Sequence, residues 1–254
     1  MTPILNNAIA FNRPAGPPSV VAAISNAAQR TGVDFSYLLA NARAESGLDP
    51  NARARTSSAS GLFQFTDATW LGTVARHGEK HGLGWAADAL KGGAPGAVKQ
   101  TILSLRHNAQ AAATMAAEFT RDNAARLEGA LGRAAGSADL YLAAFFGAGG
   151  AIRFLKTMAA APGMTAASLL PAAAAANRST FFHKDGSPRS LSEVHDLVAS
   201  RINRHMGGAH AAPAITGNSL PPATAAIGNM LPGPDPALTA ARARMAYLVL
   251  AALQ

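Results

Sequence analysis

Between residues 19 and 206 the chain is punctuated almost throughout by helix caps and glycine stops, and no stretch sustains the apolar–polar alternation of a strand. That pattern excludes sheet-based folds and leaves a mainly α domain. Ser19 suits the N-cap of a helix with Val20, Val21, Ile24 and Ala28 on one face, stopped by Gly32. Asp34 caps a second helix, "FSYLLANARAES", which ends at Gly47 with Pro50 just beyond. A polar loop, "DPNARARTSSASG", leads into "LFQF" and a helix holding Trp70, Leu71 and Val74, terminated by Gly78. Alanine-rich helical patterns follow at about 97–107, 109–129, 137–160 and 164–177, and a capping box of Ser190 with Glu193 opens a helix to about 205. The one place for β structure is a short hairpin near residues 55–65.

The flanks differ in composition. Residues 1–18 read as an N-terminal extension closed by "RPAGPPS", and 207–234 as a Pro/Gly/Ala-rich flexible linker. Residues 235–254 read as a C-terminal amphipathic helix carrying Leu238, Met245, Leu248 and Leu253, which docks on its own domain or on a partner. The expected division is therefore 1–18, 19–206, 207–234 and 235–254. With 49% hydrophobic and 14% charged residues the chain is globular, and zero cysteines exclude a disulfide scaffold, a thiolate metal site and a cysteine nucleophile. Its net charge of +8 predicts attraction to polyanions. The basic residues are scattered singly without aromatic interleaving, so no dedicated nucleic-acid site is expected. No apolar run approaches the ~20 residues that span a bilayer. "MTPILNNAIAFNRP" lacks the charged and apolar regions of a secretory signal, leaving the export route open.

One acidic residue stands out. Leu38, Ala42 and Glu45 are spaced i, i+4 and i+7, which puts the Glu45 carboxyl on the face that should point inward. A poorly hydrated carboxyl holds its proton to higher pH, as a general acid requires. The alternative on spacing alone is a last-turn glutamate that bends to solvent or pairs with Arg43 or Arg55.

The stretch "AESGLDPNARARTSSASGLFQF" resembles the signature of the lysozyme-like lytic transglycosylases, the soluble branch related to goose lysozyme: Glu-Ser, a short Asn/Asp-Pro loop, then a small residue with Gly-Leu-Met-Gln and an apolar residue. The resemblance implies a lysozyme-like helical fold and gives the residues roles. Glu45 takes the place of the single catalytic acid/base. Gln64, with Gly61, Phe63 and Phe65, corresponds to the cleft-floor segment at the scissile bond, with Phe63 replacing the usual methionine. Ser46, and a hydroxyl from either Thr56 or Ser57, correspond to polar groups that fix Glu45 or the substrate acetamido group. The loop is about one residue longer than the family pattern, which leaves Thr56 and Ser57 as alternatives. A looser block, "LYLAAFFGAGGAIRFL", resembles a family segment whose tyrosine borders the catalytic site. One register places Phe145 at that tyrosine and another places Phe146 there, and in both the phenolic hydroxyl is gone.

Other chemistries fare worse. "HGEKH" spaces His77 and His81 for a metal, but Gly78 stands where a zincin needs glutamate, so no metal site is expected. "GAGG" lacks the spacing of a dinucleotide fingerprint, and no G-x-S-x-G elbow occurs. A hydrolytic lysozyme needs a second carboxylate across the bond. Asp49 and Asp67 read as loop or cap residues. Glu118 is the best remote candidate, though solvent or Arg121, i,i+3 away, is its plainer partner.

The resemblance implies cleavage of the MurNAc–GlcNAc β-1,4 bond of peptidoglycan with an anhydromuramyl product, Glu45 acting alone and without a cofactor. The partners are then glycan strands of the cell envelope, periplasmic or extracellular, and an envelope complex or phage particle through the C-terminal helix. Two alternatives stay open: a hydrolytic muramidase of the same fold, and a non-catalytic glycan-binding component of a secretion system, flagellum or phage particle.

Overall fold

The computed structural model describes residues 19–206 except Thr56. The extension 1–18, the linker 207–234 and the helix 235–254 lie outside the described residues. The described elements are α1 (Val20–Thr31), α2 (Phe35–Ser46), α3 (Asp67–His77), α4 (Gly84–Lys91), α5 (Gly96–Ser104), α6 (Ala109–Leu131), α7 (Ser137–Ala160), α8 (Ala166–Leu169), α9 (Pro171–Ala176), α10 (Arg178–Phe181) and α11 (Leu191–His205). Among the described residues there is no strand. The hairpin expected near 55–65 is reduced to isolated bridges, Arg53 with Ser60 and Ser60 with Phe65.

Local chemistry starts and stops these helices. Ser19 Oγ accepts from the Ala22 N–H at 3.2 Å, Asp34 Oδ1 from Tyr37 at 2.8 Å and Asn108 Oδ1 from Ala111 at 2.9 Å, each satisfying a donor that has no partner within the helix. Ser190 and Glu193 close their capping box at the head of α11. Gly47 ends α2 at φ 62°, a left-handed conformation that favours glycine.

Helix α3 ends at Gly78 as expected, although Gly78 stays right-handed and the chain runs on through a 3-10 turn, Gly78–His81. Three segments differ from expectation. Helix α4 escapes prediction because it is short and has no side-chain cap. The 97–107 segment divides into α5 and a 3-10 turn at Leu105–His107. The 164–177 segment breaks at Pro171, which forces Leu170 out of the helical region and opens α9.

Helix α6 runs through the core, packing on α1, α3 and α7, while α11 packs on α7 and α2. The buried face of α6 carries five alanines (Ala112, Ala113, Ala116, Ala117 and Ala124), with Met115 and Leu127 as its larger apolar side chains and Thr114, Glu118, Thr120 and Asn123 as its polar ones. Small side chains bring neighbouring backbones close. Trp70 is fully buried, donates from Nε1 to the Ile102 carbonyl at 2.7 Å and meets the Phe65 ring edge-on at 5.3 Å.

Helix α7 is the one described helix whose length and composition alone would suit a bilayer. Half of its apolar window is nonetheless buried inside the protein, packed on α6 and α11. It is broken at Gly147 (φ 73°, ψ 158°), a conformation that side chains disfavour.

Candidate active site

The site begins with the spacing of α2. Tyr37, Asn41 and Glu45 fall at i, i+4 and i+8, one above another on a single face. That face forms one wall of a pocket of about 70 Å³. The loop residues Phe63, Gln64 and Phe65 form a second wall, and Phe119 and Asn123 of α6 with Ala144 of α7 close it.

The loop carrying the second wall is held from behind. Arg106, 8% exposed, donates from Nη1 to the carbonyls of Ser58 (2.7 Å) and Phe65 (2.9 Å) and to Asp67 Oδ1 (2.8 Å). His107 lies within hydrogen-bond distance of the Pro50 carbonyl through Nδ1 (3.0 Å) and of Ser60 Oγ through Nε2 (3.1 Å). Gly61 sits at φ 81°, and a Cβ there would collide with the Arg106 carbonyl. No other residue permits both the conformation and the approach. Gln64 adopts φ 46° and donates from Nε2 to the carbonyls of Gly61 (2.8 Å) and Ala52 (3.2 Å). Its amide nitrogen is thus committed to the loop.

The Glu45 carboxyl is partly buried and forms no ion pair among the described residues. Arg43 donates instead to the His205 carbonyl at 3.3 Å, and Arg55 is exposed. Of the two sequence alternatives, the structure takes the inward one. Desolvation pushes the Glu45 carboxyl up to about 8, because the charged form loses its water and gains no cation. Two buried phenols, Tyr37 and Tyr141, lie near enough to feel its charge. Burial raises both first, and the Glu45 charge adds to the rise. Asn41 Oδ1 is buried without a hydrogen-bond partner among the described residues, an unmet acceptor on the same helix face.

Of the predicted residues, Glu45, Phe63, Gln64 and Phe65 line the pocket together. Ser46 is turned to structural use: its hydroxyl is shared between the carbonyls of Leu62 (2.8 Å) and Ala42 (3.1 Å), tying loop to helix. Ser57 Oγ accepts from the Ala59 N–H at 3.3 Å within the loop, and Thr56 lies outside the described residues. Phe145 and Phe146 do not line the pocket; Ala144 does. Their rings meet each other at 4.7 Å, and Phe146 packs towards Phe154 and Phe181. A phenol near Glu45 comes instead from Tyr141, one helical turn before Phe145. The same i, i+4 reasoning that singled out Glu45 would have found Tyr37 and Asn41. Nothing local marks Arg106 or His107, which act across the fold.

The remote carboxylates are accounted for elsewhere. Asp49 Oδ1 accepts from the Asn51 N–H at 2.8 Å, and Asp67 opens α3 and holds Arg106. Glu118 does pair with Arg121, at 3.2 Å, but it is 3% exposed rather than solvated. Its other oxygen meets His81 Nε2 at 2.7 Å, and it does not line the pocket. His77, the other histidine of "HGEKH", lies 3.0 Å from Asp122. Glu45 is therefore the single carboxylate among the described lining residues. A carboxyl that is protonated near neutral pH, in a pocket of aromatic, hydroxyl and amide side chains with a free amide oxygen on the same helix face, is equipped to deliver a proton to an oxygen and take one back.

Residues 22–84, which hold both Glu45 and the Gln64 loop, match the family model described as Transglycosylase SLT domain.

Proposed function

We propose, from the premise that this chain carries a transglycosylase SLT domain of the lysozyme-like lytic transglycosylase family, that it cleaves the MurNAc–GlcNAc bond of peptidoglycan with Glu45 as its only acid/base. Glu45 gives its proton to the glycosidic oxygen as the bond breaks. The substrate's own acetamido group meets the positive charge that develops on the sugar, so no protein nucleophile is needed. Glu45, now a carboxylate, removes the proton of the muramyl 6-hydroxyl, which closes onto the anomeric carbon and leaves an anhydromuramyl end. The carboxyl is restored by the second transfer, and no cofactor takes part.

The observation that carries this reading is the solitude of Glu45: one carboxyl in the pocket, raised to about 8 by desolvation, with no second carboxylate lining it among the described residues. An inverting hydrolase, or a retaining one with a protein nucleophile, needs that second group. Tyr37, Tyr141 and Asn41 would orient the carboxyl and the acetamido group, and Gln64 would keep the loop in place. Residues 19–206 would be the catalytic unit, acting at the cell envelope, where the net charge of +8 favours adsorption to an acidic wall. Mass spectrometry of digested cell walls tests the reaction. Anhydromuramyl ends are expected; reducing ends would make the protein a hydrolytic muramidase, and no soluble product would make it a glycan-binding component.

A further inference from the structure

A second, larger pocket of about 450 Å³ opens beside the first. Ala44, next to Glu45 on α2, lines it, and so does Tyr141, the phenol that feels the Glu45 charge. The rest of its wall comes from α10, the turn that follows and α11, all beyond the stretch that matches the family. Five cations line it: Arg178, Lys184, Arg189, Arg201 and Arg204. No acidic side chain does, and none of the five forms an ion pair among the described residues. Arg178 stacks over the Phe182 ring at 4.7 Å. Arg189 Nε is buried with no hydrogen-bond partner among the described residues. Arg201 is partly buried; desolvation opposes its charge first, the nearby Tyr141 favours it, and Arg204 and Arg189 oppose it.

Gathering like charges around a concave, part-apolar surface costs free energy that a bound anion recovers. Arginine forks match carboxylates in geometry as well as charge. The volume falls within the range of small-molecule and peptide pockets, roughly 300–1,000 Å³. We infer that this pocket receives the carboxylates of the peptide stem borne by the muramic acid next to the scissile bond. The inference rests on the peptidoglycan reading above. A muramyl sugar held at Glu45 carries on its lactyl ether a short peptide with free carboxylates, and the cationic pocket adjoins that position. The side chains of Phe182 and Ile202 offer apolar wall to the peptide's methyl groups.

The test is a titration followed by NMR, using the full chain and the acidic peptide N-acetyl-Ala-γ-Glu-Ala against its fully amidated form. The free acid should bind about tenfold more tightly than the amide, the size expected of charge-assisted hydrogen bonds that remain open to solvent. That preference should vanish in the Arg189→Ala/Arg204→Ala double variant. Arg201→Gln provides a second variant should the first unfold, and it should lose the preference too. Equal binding of the two peptides, a preference that survives in the folded variants, or tighter binding of inorganic phosphate than of the free acid would each overturn the inference. No bond is cleaved in the titration. A preference found in a chain that makes no muropeptide would refute the catalytic reading alone, and anhydro products without any preference would refute the pocket alone.

Discussion

Two glutamates, Glu45 and Glu118, are drawn into the protein from different helices, and their surroundings make them different reagents. Glu118 is held by His81 at 2.7 Å and Arg121 at 3.2 Å, with His77 at 3.7 Å. Asp122, a turn further along α6, extends this cluster to Arg76. Glu45 has aromatic rings, amides and hydroxyls around it and no cation among the described residues of its pocket. A carboxyl ringed by hydrogen-bond donors and a guanidinium is held as part of the structure, whereas one deprived of both water and counter-charge keeps its proton. The lesson is that burial alone makes no general acid; burial without a partner does.

Glu45→Gln should break the comparison most severely. It preserves size but can neither give nor take the proton, so wall-clearing activity should fall by at least ~10²–10⁴-fold, the usual worth of general acid–base assistance. The fold should persist, checked by circular dichroism. The pH dependence follows with a definite sign. The folded carboxyl titrates near 8 against an ordinary value of 4.5. Wild-type activity should therefore decline as pH rises through about 8, where the acid form is lost. Stability tied to this group is fully present below about 4.5 and is lost as pH rises to about 8, since only the unfolded chain gains by ionising in that window. The melting temperature of Glu45→Gln should accordingly move above that of wild type between pH 5 and 8. A constant gap would show that Glu45 is paired after all.

Glu118→Ala should do the reverse, costing stability rather than chemistry. Removing it leaves the buried His81 and the part-exposed Arg121 without their shared acceptor, a loss on the order of 1–3 kcal/mol. Chemical denaturation should show that loss, while activity per folded molecule stays within a few-fold of wild type. A large activity loss in folded protein would place Glu118 in the reaction.

Gln64→Ala sharpens the line between the two roles. Its Nε2 serves two loop carbonyls, so the change should cost about 1–3 kcal/mol of stability. It should also weaken turnover less than loss of Glu45, as measured on polymeric peptidoglycan. The smallest effect is expected from a stop after Met206, beyond which no catalytic motif lies. Activity on isolated glycan should hold, and a collapse in melting temperature would put residues 207–254 in the core.

Much of the helical order was legible in local chemistry. Ser19, Asp34 and the Ser190–Glu193 box act within one turn of chain, and a cap needs no tertiary contact to be recognised. The inward face of α2 was legible too, because a period of 3.6 residues aligns Leu38, Ala42 and Glu45 wherever the helix packs. The breaks at Pro171 and Gly147 were harder to see, since alanine-rich sequence around them reads as continuous helix.

What the sequence by itself determined, then, was the helical class, the caps and the position of Glu45 on an inward face, all set by interactions a few residues long. Whether that carboxyl would meet a cation was decided only when α2, α6, α7 and the 59–66 loop came together, because counter-charges arrive from distant parts of the chain. The same assembly brought Tyr141 rather than Phe145 towards Glu45, sent Glu118 to His81 across 37 residues, and let Arg106 clamp a loop some 40 residues before it. Electrostatic environment is a property of packing, and no spacing along one helix specifies it.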